Sequence, residues 1–304
     1  EKGVVFVGSS YPQCDMAGIE FRISTDTEMR ETLNFLSEDF PVAVYTQHYH
    51  FATSDQIPFH WHDELQLTWI PEGEIEYCIN GDTFTLSGNK LFLINRRQLH
   101  RSRVIKDDAV TLCMNFTPDV FHPTIADTFV KPFLNEGGFS YLLVPLKPHQ
   151  ITMLRCFLTW KNEPLGYFPV INFLSELFEE ILSEHKEKKC TQNYEELAVF
   201  QTALNYVHMN YAEQITVRDI GGSVPINKNI LTKLFNKYTN MPPIKYLNDY
   251  RLNIARNLLL NTNKPVSEIS QDVGYNNLSH FIKHFREKYG MSPLKFRNKY
   301  SSLN

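Results

Sequence analysis

No stretch of the 304 residues approaches the roughly 20 consecutive apolar residues that span a bilayer, so neither a membrane helix nor a membrane partner is expected. Val4–Val7 is too short for the apolar core of a secretory signal. Cysteine is sparse: Cys14, Cys78, Cys113, Cys156 and Cys190 are scattered, odd in number, and form no CxxC pair. A reduced, cytoplasmic chain is the expectation. Strong net charge is also missing. The formal −4 gives no hint of a nucleic-acid partner until the chain is divided. From Asn193 onward there are 14 Lys+Arg against 8 Asp+Glu, a balance of +6; the first 192 residues hold 16 against 26, a balance of −10. An acidic body joined to a basic tail predicts a polyanion partner for the second part.

What is present is ample apolar residue, 42% of the chain, which supports buried cores and excludes wholesale disorder. The length suits about two domains. Residues 1–40 read as an N-terminal extension or arm, with a short helix expected over Thr25–Phe40. From Pro41 to Phe116, short runs rich in β-branched and aromatic residues alternate with turn formers. These runs are Val42–Tyr45, Leu65–Ile70, Ile75–Ile79, Thr83–Leu86, Lys90–Ile94 and Val110–Phe116. Pro71-Glu72-Gly73, Asn80-Gly81 and Ser87-Gly88-Asn89 separate them. Asn80-Gly81 is a strong hairpin signal, because a type I′ turn needs positive φ at both central residues. Many short strands at close spacing predict an antiparallel barrel or sandwich.

After about residue 120 the pattern turns helical. Over 164–189, Ile171, Leu174, Phe178, Ile181, Leu182 and His185 make a stripe at helical spacing, read as a dimerisation helix with core packing as its rival. Lys186–Asn193 is polar and reads as a linker. The last 110 residues contain an internal repeat. Lys233, Phe235, Asn240-Met241, Pro243, Lys245, Tyr246, Asn248 and Tyr250 reappear 50 positions on, as Lys283, Phe285, Gly290-Met291, Pro293, Lys295, Phe296, Asn298 and Tyr300. A whole pattern repeated at fixed offset means two copies of one supersecondary unit. In the second copy Val266–Val273 makes a short helix, Gly274 permits a left-handed turn, and Asn276 or Asn277 caps a second helix running to about Lys288. A short polar and basic helix on a small helical platform fits a B-DNA major groove.

Ile269-Ser270-Gln271-Asp272-Val273-Gly274-Tyr275, with Phe281, Phe285 and Gly290-Met291-Ser292-Pro293, resembles the motif of the AraC/XylS family of transcriptional regulators. The resemblance covers about Ala198–Tyr300, both helix-turn-helix units (217–238 and 266–288) and the helix between them. It implies that Asn229, Thr232 and Lys233, then Ser279, His280 and Lys283, face the groove. Lysine can donate to guanine or phosphate and asparagine can bracket adenine; Asn227 and Asn277 can cap their helices towards phosphate. His284 is expected in packing or on the surface. The first unit departs from the family pattern. Gly221 stands where Ala is usual and Pro225 where Gly is usual, so an altered turn is expected there.

In the acidic part, His60-Trp61-His62 opens a strand, and residues i and i+2 share a face, so both imidazoles can point into a barrel with Trp61 outside. With Gly73, Gly88 and a later His100, the arrangement resembles the cupin pattern. Three histidines (His60, His62, His100) could hold a divalent metal. Gln66 at the position of the usual Glu, and Asn95 and Arg97 in place of Pro and Gly, weigh against one, so no cofactor is expected. The family resemblance implies a small-molecule effector instead, with His60, His62, Gln66, Trp69, Tyr77, Arg96 and His100 as suitable aromatic and polar pocket residues.

The expected fold class is α+β: a cupin-like antiparallel β-barrel (41–125) plus helices (126–190), then an all-α double helix-turn-helix domain (191–304). The expected function is a sequence-specific DNA-binding transcriptional regulator, not an enzyme. It would act as an activator on an operon for carbohydrate use or stress, respond to a small molecule such as a sugar, bind double-stranded DNA as a homodimer and engage RNA polymerase. Two alternatives stand beside this: a metal-dependent cupin enzyme fused to a DNA-binding module, and a regulator controlled by a protein partner.

Overall fold

The structure, a computed structural model, describes residues 4–7, 22–25, 30, 31, 33, 35, 37, 39–88, 90–136, 139–159, 167–184 and 194–300. Strands β1 (Val4–Val7) and β2 (Arg22–Thr25) pair antiparallel as a separate two-stranded sheet. The helix expected over Thr25–Phe40 is not what the described residues there form. Arg30 bridges Trp61 and Ser37 bridges Phe40, both extended contacts; the remainder lies outside the described residues.

One seven-stranded antiparallel sheet follows. It comprises β3 (Val42–Tyr49), β4 (Gln56–His60), β5 (Leu65–Ile79), β6 (Asp82–Ser87), β7 (Lys90–Ile94), β8 (His100–Phe116) and β9 (Tyr141–Val144). Its order is β3-β8-β5-β7-β9, with β4 also on β8 and β6 also on β5. Two long strands, of 15 and 17 residues, organise it. Pro71-Glu72-Gly73 is therefore not a turn between strands. It is an irregularity inside β5, where the register with β8 shifts between Trp69 and Ile75. Gly73 sits there at φ +84°, with Ala109 Cβ 2.4 Å from where its own Cβ would stand, so only glycine fits. Asn80 and Gly81 take φ of 49° and 96°, as a type I′ hairpin requires. The expected end of the barrel at residue 125 needs correcting, because β9 pairs with β7 and completes the sheet from within the helical stretch.

Strand alternation sorts the side chains. Leu65, Leu67, Trp69, Leu112, Met114 and Phe116 join a cluster on the outer face; Ile70, Ile75, Tyr77, Ile79, Phe92 and Ile94 form the inner one. Outside the sheet lie α1 (Pro123–Ile125), a single π turn, α2 (Lys131–Glu136), α3 (Pro148–Leu158) and α4 (Tyr167–Glu184). Helix α4 buries Val170, Phe173, Leu174, Leu177, Phe178 and Ile181 against the outer face. Three of the residues expected at a dimer interface, Leu174, Phe178 and Ile181, thus belong to the core of one chain. Exposing six such side chains would cost on the order of 10 kcal/mol, at roughly 1.5–3 kcal/mol each. Ile171 and Leu182 are half-buried, and His185 lies outside the described residues.

The last seven helices are α5 (Tyr194–Met209), α6 (Val217–Gly222), α7 (Lys228–Thr239), α8 (Pro243–Asn261), α9 (Val266–Asp272), α10 (Leu278–Tyr289) and α11 (Pro293–Tyr300). Pairs α6–α7 and α9–α10 are the two helix-turn-helix units, joined by α8, which buries Tyr246, Leu247, Tyr250, Ile254, Ala255 and Leu259. Sheet domain followed by helical domain is the expected α+β architecture. The two domains touch. Phe59, Cys78 and Leu99 of the sheet domain enter the helical core, and Trp61 packs against it from outside the barrel.

Candidate effector pocket and DNA-reading surface

Each helix-turn-helix unit is built by local chemistry. In the first, Thr216 and Asp219 form a capping box on α6. Its turn, Ser223–Ile226, contains no residue at positive φ, and Ile226 N–H donates to Val224 O. That is the altered turn Pro225 enforces. In the second, Gly274 adopts φ +82°, and a Cβ there would come within 2.7 Å of Ala212 O. The glycine turn thereby lets the loop after α5 approach the second unit.

Asn227 caps α7, accepting from the N–H groups of Asn229 and Ile230; Asn277 caps α10, accepting from His280 N–H. Phe235 and Phe285 are buried on the opposite faces. Asn229, Lys233, Ser279, His280 and Lys283 are exposed, and Thr232 is half-buried with its hydroxyl donating to Lys228 O. Lys283 Nζ lies 3.9 Å from Glu287. Arg286, absent from the expected groove set, is exposed beside Ser279 and Lys283 along a shallow concavity. Its i, i+3 spacing from Lys283 is the signal that could have added it. His284 meets the Tyr275 hydroxyl at 3.2 Å, in packing as expected.

The seven expected effector residues do not all come together. His60, His62, Gln66 and His100 meet in one buried cluster: Gln66 Oε1 lies 3.0 Å from His62 Nε2 and 3.1 Å from His100 Nε2. Tyr77 is on the inner face, stacked edge-on to Phe92 at 4.6 Å. Trp69 is a correction. Strand parity sends Gln66, Thr68 and Ile70 inward and Leu65, Leu67 and Trp69 outward, where Arg155 lies 6.0 Å over the indole. Arg96 is half-buried in the turn after β7, its N–H donating to Asn95 Oδ1.

Sequence reasoning missed a polar strip deeper in the barrel. Gln47 Oε1 accepts from Tyr49 Oη at 2.7 Å and from Thr111 Oγ1 at 3.2 Å. Tyr49 Oη and Ser102 Oγ are 2.8 Å apart, and Gln66 Nε2 donates to Thr68 Oγ1 at 2.9 Å. Asn115 adds an Oδ1 to Tyr45 while its buried Nδ2 has no hydrogen-bond partner. Alternate polar residues on β3 and β8 carried the signal (Gln47 and Tyr49, Thr111, Cys113 and Asn115). It reads as an interior rather than a surface only once both faces of the sheet are known to be covered.

Electrostatics follow burial. Desolvation pushes His60 down to about 3, and lowers His62 and, more strongly, His100; His62 further disfavours charge on His60, and both disfavour it on His100. All three are therefore neutral at physiological pH. Burial, then the nearby Glu64, pushes the Glu31 carboxyl up to about 8.

Comparison with known proteins agrees with both halves. Residues 41–157 match a family model described as an AraC-like ligand binding domain, and residues 223–299 match one described as a helix-turn-helix domain. The Msm operon regulatory protein of Streptococcus mutans is 30% identical over 241 residues, covering 77% of this chain and 84% of that one. An uncharacterized HTH-type transcriptional regulator of Bacillus subtilis, YdeC, is 25% identical over 299 residues, 90% of this chain and 97% of its own. The melibiose operon regulatory protein of Escherichia coli is 21% identical over 277 residues, 84% and 90% of the two chains. Reader and ligand-binding domain together assign the chain: it belongs to the AraC/XylS family of transcriptional regulators.

Proposed function

We propose that the protein activates an operon when a small polyhydroxy effector, a sugar or sugar derivative, enters the barrel. The observation that carries the DNA half is the pair of capped helices, α7 and α10, with polar and basic faces exposed and their phenylalanines buried. In this reading Asn229, Thr232, Lys233, Ser279, His280 and Lys283 read two successive major grooves, while Asn227 and Asn277 direct helix N-termini at phosphate. The buried hydroxyls and amides of Gln47, Gln66, Thr68, Thr111 and Asn115, with Tyr49 and Tyr77, suit a ligand rich in hydroxyl groups. The melibiose operon regulator, which by its name serves a sugar operon, supports that class.

The protein works in the cytoplasm, without catalysis, as a homodimer on paired half-sites and in contact with RNA polymerase. Phe168, 67% exposed at the start of α4, is an apolar side chain of that helix left open for a second copy. The test is an electrophoretic shift series on genomic fragments that the full chain protects, with and without candidate sugars. Effector-dependent retention at a fragment beside sugar-use genes is the expected result. A genuine site occupied identically with every sugar would defeat the sensing half.

A further inference from the structure

The histidine cluster contains a conflict that ordinary hydrogen bonding does not resolve. His60 ends β4, His62 follows two residues on, and His100 opens β8 directly across from His60. Each ring is fixed through Nδ1 by a backbone carbonyl: Pro58 O at 2.8 Å, Glu64 O at 3.0 Å and Gln98 O at 2.8 Å. A neutral imidazole has one proton, and these carbonyls take it. All three Nε2 atoms are then bare lone pairs, with ligand atoms from the three rings within 4.8 Å of one another. What faces two of them is another lone-pair donor, Gln66 Oε1.

Glu31 makes a second, independent point. It comes from the N-terminal arm, held there by its own N–H to Trp61 O at 2.8 Å and by the Arg30–Asp63 ion pair at 2.6 Å. The side chain is 3% exposed, its Oε2 lies 3.7 Å from His60 Nε2, and that oxygen has no hydrogen-bond partner. At 3.7 Å even a protonated carboxyl does not make a hydrogen bond. Reversing the Gln66 amide would satisfy His62 and His100 without any ion. It would leave Glu31 and His60 as they are.

We propose that His60, His62 and His100 bind one divalent transition-metal ion with Gln66 Oε1 beside it, and that Glu31, which lies next to His60 but outside the group of mutually close ligand atoms, moves in to complete the shell. Three imidazoles and a carboxylate suit zinc, iron(II), cobalt(II) or nickel, and do not suit calcium or magnesium, which take all-oxygen shells. Backbone carbonyls on every Nδ1 are the outer contacts that metal-bound imidazoles use to fix ring and tautomer. The carboxylate that Gln66 does not supply is thus furnished by another element. Gln66, Asn95 and Arg97 weigh against a metal within the local pattern, whereas Glu31 lies 29 positions before His60 and outside that pattern. The inference goes beyond effector sensing and requires only that the barrel interior be accessible to a ligand.

The full chain without a histidine tag, stripped with chelator, is titrated with Co²⁺ while its visible absorption is followed, then with Zn²⁺ in competition, both without effector or DNA. One equivalent per chain is expected, lost at least 100-fold in affinity in His62→Ala and His100→Ala. Glu31→Gln should bind at least tenfold more weakly, with an altered Co²⁺ spectrum. Circular dichroism checks that each variant is folded. A thermal shift of the wild type by Zn²⁺, absent in Glu31→Gln, reads the same site without relying on the histidine variants. Absence of stoichiometric binding to the wild type, or binding unchanged in His62→Ala and His100→Ala, overturns the site; Glu31→Gln binding like wild type overturns the carboxylate's part. Effector response on DNA, measured in chelator, stands or falls separately.

Discussion

Lys283 illustrates what a single exposed side chain on α10 can decide. Its ammonium is exposed, loosely paired with Glu287, and free of packing duties. Lys283→Ala should weaken operator binding by roughly 1–3 kcal/mol and relax preference at one base position if it reads a base. Uniform weakening across operator variants would make it a phosphate contact, and equal binding would remove it from the interface. His208 gives a residue-level prediction of a different kind. It is buried between Tyr246, whose hydroxyl lies 2.6 Å from Nε2, and Tyr250, stacked at 4.1 Å. Burial pushes its pKa from 6.5 down to about 3. The unfolded chain therefore takes up a proton below pH 6.5 that the folded chain refuses. The stability His208 contributes is full above that value and is lost as pH falls towards 3. His208→Gln should reduce the stability difference between pH 7.5 and pH 5 by about 2 kcal/mol in urea unfolding. An unchanged difference would mean the imidazole is not held neutral.

Within single elements, the two turns contrast usefully. Gly221 lies inside α6 with ordinary helical space around it: an added Cβ would stand 3.8 Å from Leu231 Cδ2. Gly221→Ala should stabilise the chain by about 0.5–1 kcal/mol, since glycine costs that much in a helix. Gly274→Ala should do the reverse, because positive φ and the Ala212 carbonyl both oppose a Cβ; a loss of about 1–3 kcal/mol is expected. Thermal unfolding of both variants checks the pair, and a stabilising Gly274→Ala would mean the turn is not as described. The first turn was readable in outline because proline's missing positive φ is intrinsic to the residue. The long strand β5 was not, because Pro71-Glu72-Gly73 has turn chemistry yet is spanned by pairing to β8 on both sides. Pairing between distant segments overrode a local preference there.

The whole molecule joins an acidic sensor to a basic reader through a specific contact. Asp55 and Arg256 form a buried ion pair across it. Phe59 lies 6.1 Å from Tyr246, and Asn240 Nδ2 donates to Gly81 O and Thr83 Oγ1 at the hairpin tip. The tip is pressed close enough that a Cβ on Gly81 would overlap Lys237 O. This contact uses the C-terminal end of α7 with Tyr246 and Arg256 of α8, and leaves Asn229, Lys233, Ser279, His280 and Lys283 exposed. The acidic domain therefore does not cover these exposed positions of α7 and α10 in this arrangement. Because Phe59 directly precedes His60, the interdomain contact and the histidine cluster are neighbours on one strand. Asp55→Asn should weaken the contact by up to about 3–5 kcal/mol, since it strands the Arg256 guanidinium without its carboxylate. The expected outcome is separate unfolding transitions for the two domains and a smaller effector response on DNA. A single transition and an unchanged response would show that the pair carries no coupling. DNA affinity should also fall steeply with salt, because phosphate contacts made by a helical domain of only +6 release counterions on binding.

The sequence by itself determined the two helix-turn-helix units, the Asn80-Gly81 hairpin, the α+β order and the inward histidine pair. Each depends on spacing, repetition or the φ preference of a residue, which are local properties. Tertiary structure decided which way Trp69 faces, that α4 spends Leu174, Phe178 and Ile181 on its own barrel, and that Glu31 meets His60 from 29 positions away. Those outcomes follow from which faces are covered and which distant segments meet, and only packing of the complete chain sets either.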